Sequence, residues 1–191
     1  MVTTRTKLVT KLLATTAVAL GVFGPIVALQ TSAIAESSVS RTLPPNSAAL
    51  CTTAQLVVWL DSAGSGAAGS VYYHVEFTNQ GSHTCTMFGY PGVSAVNLQG
   101  AQLGAPANKN AGTAKKLISL ALGATASAVL QITDTGVYSP STCRPTRAAG
   151  IRVYPPGQTV AKVVPYPFLT CGRAQNIALH IEAVSVGVLP N

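Results

Sequence analysis

Charge is scarce in this sequence. Five Asp and Glu and twelve Lys and Arg occur in 191 residues, with three histidines and a single tryptophan. Each shortage excludes something. Long amphipathic helices would need more Glu, Lys and Leu than the chain offers, whereas its Gly, Ser, Thr, Ala and Val suit short strands joined by turns. A Ser-His-Asp triad must draw on Asp61, Asp134, His74, His83 and His180, and no G-x-S-x-G elbow is present. Glycoside hydrolysis needs two facing carboxylates and usually an aromatic cleft, for which Asp61, Glu76, Asp134, Glu182 and the lone Trp59 are poor material. There is no Cys-x-x-Cys, so thioredoxin-like chemistry and zinc ligation by thiolates are weak readings. The glycine-rich run Ser62 to Gly69 has no Gly-Lys-Ser/Thr ending and reads as a hairpin connection, not a phosphate loop. No basic-aromatic ribonucleoprotein-like motif occurs, and no nucleic-acid partner is expected. No catalytic residue and no cofactor is expected.

Apolar residues, in contrast, make up 48% of the chain, enough to bury a core. At the N-terminus Arg5, Lys7 and Lys11 precede an apolar run from Leu12 to Leu29, and Ala33-Ile34-Ala35 follows. This is the pattern of a secretory signal peptide over 1–35. The rival is an uncleaved membrane anchor; Pro25 and the small residues near Ala35 favour cleavage, so contact with the membrane is expected only before it. Residues 36–50, with Pro44-Pro45, read as a flexible leader, and 51–189 as one domain. Export makes the four cysteines a disulfide framework with three possible connectivities. Cys51–Cys85 and Cys143–Cys171 are favoured because they join neighbouring segments. Without residues 1–35 the chain carries +4, and from Lys109 onward +6 against −2 before it. A basic patch for an anionic wall polymer and a dispersed, solvated surface are both open readings.

Strand signals recur along the domain. Gln55 to Asp61, Ser70 to Asn79, Val93 to Leu98, Thr125 to Thr133, Gly150 to Tyr154, Thr159 to Val164 and Asn176 to Ser185 are apolar or alternating segments bounded by turn residues. Lys115 to Leu122 reads as a strand rather than a short helix, and Pro165 to Gly172 as a proline-rich return. The expected fold is all-β: an immunoglobulin-like antiparallel sandwich of eight or nine short strands, with a barrel as the alternative. His74-x-Glu76 and His180-x-Glu182 each place two metal-ligand types on the outer face of a strand. If the strands were neighbours, the four could converge on a metal, whereas the plain reading is polar residues alternating outward. In the Tyr90-Pro91 turn the tyrosine is either a partner contact or a packing residue.

One combination of residues goes further. Phe77-Thr78-Asn79-x-Gly81, then Cys85, then Gly89-Tyr90-Pro91-Gly92-Val93, framed by Cys51 and two late cysteines, resembles the actinobacterial exported family known as domain of unknown function 4232. The resemblance covers roughly Cys51 to Val186. It implies an exported, mostly β domain that is often tethered as a lipoprotein, and it supplies no catalytic residues. Leu50, which is not small, stands where a lipidated cysteine needs a small residue before it. The expected role is an extracellular or cell-wall binding module with an unidentified ligand; the alternative is a metal-binding or hydrolytic protein using His74, Glu76, His180 and Glu182.

Overall fold

A computed structural model describes residues 48–187; the expected signal peptide (1–35), most of the leader and the last residues of the chain lie outside the described residues. The clearest alternating segments form strands at the expected bounds. Strand β2 spans Ser70–Asn79 and β8 spans Thr125–Thr133, and the two pair in antiparallel register. Their inward residues Val75, Phe77, Ala126, Ala128 and Leu130 are fully buried.

Among the described residues twelve strands are present rather than eight or nine, several of them two-residue ladders. One sheet has the order β1 (Leu56–Ala67), β2, β8, β11 (Leu179–Ile181), β6 (Asn108–Lys109), with β12 (Ser185–Val186) also on β8. The second has the order β10 (Lys162–Cys171), β9 (Pro145–Tyr154), β4 (Gly92–Val96), β5 (Gln102–Leu103). A separate ladder pairs β3 (Cys85–Phe88) with β7 (Leu117–Leu120). The two main sheets enclose one core, to which Leu56, Phe77, Leu130 and Leu179 come from the first and Val93, Ile151 and Val153 from the second. Burying a side chain of this size contributes roughly 1.5–3 kcal/mol. This is an immunoglobulin-like β-sandwich. Its pairings are antiparallel apart from β6 with β11 and a single parallel bridge, Leu50 to Thr86. Through that bridge the end of the leader is drawn onto β3, where the Thr86 amide donates to the Ala49 carbonyl (2.9 Å).

The differences from the sequence reading have local causes. The glycine-rich run after Asp61 is mostly strand: β1 continues to Ala67 past an irregularity between Asp61 and Ser65, and turns at Ala68 and Gly69, both with positive φ. This is the geometry of a two-residue hairpin turn. Gly64 lies beneath the Tyr73 ring, where a Cβ would overlap the ring carbons. The proline-rich return is the edge strand β10; Pro165 and Pro167 are compatible with it because an edge strand need not use every N–H. In the last alternating segment Ile177 is exposed, whereas Leu179, Ile181 and Ala183 are buried.

Both favoured disulfides form. Cys51–Cys85 ties the domain entrance to β3, and Cys143–Cys171 ties the short helix α1 (Pro140–Cys143) to the end of β10.

Candidate functional site

The most recognisable stretch of the sequence is structural. Asn79 is fully buried, and its side-chain amide donates to the carbonyls of His83 and Leu120, both at 2.9 Å. Its Oδ1 accepts from the Gly81 amide at 2.9 Å. One side chain thus satisfies three backbone groups that would otherwise be stranded beside the core. Phe77 and Val93 fill that core, and Cys85 anchors the loop. Pro91 is buried and Tyr90 half-buried, with the Lys109 ammonium 5.7 Å from the centre of its ring. Gly89 takes φ +94, and its carbonyl accepts from the Val184 amide.

The four residues considered for a metal are not brought together. Strand β8 lies between β2 and β11, so His74 and Glu76 are separated from His180 and Glu182 by two strand spacings, about 9.5 Å. Among the described residues no group of three or more His, Cys, Asp and Glu could hold a metal ion. Glu182 instead accepts from the Thr113 hydroxyl and packs against Gly112, fixing the loop after β6. His180 is half-buried in a row with Gln131 of β8 and Tyr72 of β2.

His74 and Glu76 also depart from the expected wet face. His74 is 8% exposed and Glu76 0%. Neither Glu76 carboxylate oxygen nor His74 Nδ1 has a hydrogen-bond partner among the described residues. Burial, reinforced by the charge of Asp61, pushes the Glu76 carboxyl above the usual carboxylate range. Alternation identified the face on which these side chains stand, but could not show how deeply that face of β2 is covered.

Grooves open at the surface of the described residues, and two of them adjoin the second sheet. The larger, about 490 Å³, lies where the β1–β2 turn meets β10 and includes Tyr73, Asp134 and Phe168 in its lining. The Tyr166 hydroxyl donates to that of Tyr73 at 2.7 Å. Burial and this hydroxyl push the Tyr73 phenol up to about 12, which leaves it neutral at physiological pH. The second groove, about 400 Å³, runs between Leu98 and Pro167 beside Arg147.

Acidic strand residues occur only in the first sheet, which also carries Lys109 on β6. Asp61 and Glu76 lie on β1 and β2, and Glu182 directly follows β11. Strands β4, β5, β9 and β10 hold Arg147, Arg152 and Lys162 and no acidic residue. Arg152 reaches across to the Gly100 carbonyl. Arg144 and Arg173 are held side by side around the Cys143–Cys171 bridge, as the Gly172 amide donates to the Arg144 carbonyl at 3.0 Å and the Arg173 amide to that of Cys143 at 3.4 Å. Arg144, Arg147 and Arg173 are exposed, with no side-chain partner among the described residues.

Residues 51–186 match a family model described as a domain of unknown function, DUF4232. No curated protein and no solved structure matches.

Proposed function

The chain belongs to that family of domains of unknown function, DUF4232, and from its surface chemistry we propose a secreted, non-catalytic module that binds an anionic polymer of the cell envelope. The observation that carries this reading is the distribution of charge. The second sheet and its adjoining turns present Arg144, Arg147, Lys162 and Arg173, and none of the strands β4, β5, β9 and β10 carries an acidic residue. A one-signed face of this kind concentrates polyanions by long-range attraction. Two further features support the reading. Paired, buried cysteines suit an oxidising compartment. Among the described residues no helix is long and apolar enough to cross a membrane.

Retention on isolated cell wall tests it. Binding is expected in dilute buffer and release at about 1 M salt, where the screening length falls to ~3 Å. The triple variant Arg144→Gln, Arg147→Gln, Arg173→Gln should bind at least tenfold more weakly at low salt while melting at the wild-type temperature. Failure to bind in dilute buffer, or binding indifferent to both salt and the three substitutions, would refute the proposal.

A further inference from the structure

The feature least explained by folding alone is the carboxyl group of Glu76. It is fully buried, and neither of its oxygens accepts a hydrogen bond from any of the described residues. Buried polar groups in folded proteins are nearly always satisfied, so an orphan on β2 calls for a partner. The groups around it do not provide one. The Ser127 hydroxyl, directly across on β8, donates to the Gly187 carbonyl at 2.8 Å. On β1 the residue opposite Glu76 is Trp59, and Asp61 stands opposite His74. The charge of Asp61 disfavours the ionised form of Glu76. His74 is two residues away on the same face, and its Nδ1 is also buried and unpartnered.

We propose that the outer face of the first sheet, at Trp59, His74 and Glu76, is a binding site for a protonated primary amine. Three unused positions, the two Glu76 oxygens and His74 Nδ1, match the three N–H donors of an ammonium group in number and type. His74 accepts through Nδ1 in the tautomer that carries its proton on Nε2. Trp59 adds an indole face, the best side-chain partner for a cation. It lies on the edge strand β1 and is 42% exposed, so it is within reach of a ligand arriving from solvent. A metal ion is a poorer match, since no three metal-ligating side chains converge among the described residues. The site is on the opposite sheet from the arginines and is independent of the polymer reading.

Trp59 is the only tryptophan in the chain, so its fluorescence reports directly on the site. The intact protein is titrated at neutral pH and fixed ionic strength with n-butylamine, with Nα-acetyl-lysine methylamide and with tetramethylammonium. The two primary amines should give a saturable change, and tetramethylammonium, which has no N–H to donate, should not. Glu76→Gln should weaken the response at least tenfold without lowering the melting temperature, and His74→Ala should weaken it with Glu76 still in place. Equal response to the two amines assigns recognition to the ammonium alone; a tighter response to the lysine derivative identifies a peptide lysine as the source. The proposal is overturned if the amines give no saturable change, if Glu76→Gln responds like the wild type, or if tetramethylammonium or a divalent metal ion does as well as the amines.

Discussion

Replacing both members of one disulfide by alanine is the perturbation whose size follows most directly from this fold. The Cys143–Cys171 bridge spans 28 residues and Cys51–Cys85 spans 34. In the chain-entropy model, loops of this length stabilise the fold by about 3.6 and 3.8 kcal/mol, through constraint of the unfolded chain. A domain of this size unfolds with an entropy near 0.3 kcal/mol/K, so either loss lowers the melting temperature by about 12 °C. All four cysteines are buried, and the atoms removed leave small voids that add to the cost. Calorimetry of the Cys143→Ala, Cys171→Ala and the Cys51→Ala, Cys85→Ala variants under oxidising conditions measures both. The two losses should agree within about 1 kcal/mol, because the loop lengths differ by so little. Denaturant slopes should also rise, since the uncrosslinked chain exposes more surface on unfolding. A drop below about 3 °C for either variant, or losses differing by more than 2 kcal/mol, would refute the loop-closure reasoning and place the effect in native-state contacts.

Two further outcomes follow from buried polar groups. Because the folded-state carboxyl of Glu76 titrates above its unfolded value, the native state holds that proton more tightly, and stability falls as pH rises from the unfolded carboxylate range near 4.3 towards the raised value. Glu76→Gln should therefore match the wild type below about pH 4 and exceed it at neutral pH; equal denaturation midpoints at neutral pH would count against an unpartnered carboxylate there. Asn79→Ala strands the Gly81 amide and the carbonyls of His83 and Leu120, and should cost about 2–4 kcal/mol in urea unfolding; a loss under 1 kcal/mol would mean that water replaces the amide.

Local pattern determined much of this molecule. Period-two alternation in Ser70–Asn79 and Thr125–Thr133 is enough to define both strands and their buried faces, because a half-covered strand must separate its apolar side chains from its polar ones. The two disulfides were readable because each joins neighbouring segments and short loops close most easily. Other features depended on position within a sheet, which a linear pattern does not encode. Pro165 and Pro167 belong to a strand only because β10 is an edge, and the run after Asp61 is a strand only because β2 lies beside it. His74 and Glu76 are buried, whereas alternation alone assigns them to water. The distribution of acidic and basic residues likewise depends on which strands share a sheet. The sequence by itself specified the clearest alternating strands and the all-β class, since these arise from interactions between near neighbours, and it favoured the disulfide pairing that the fold contains. The tertiary structure alone decided which side chains stand unpartnered and which charges share a face, because those depend on strand order, and strand order is set by pairing between segments far apart in the chain.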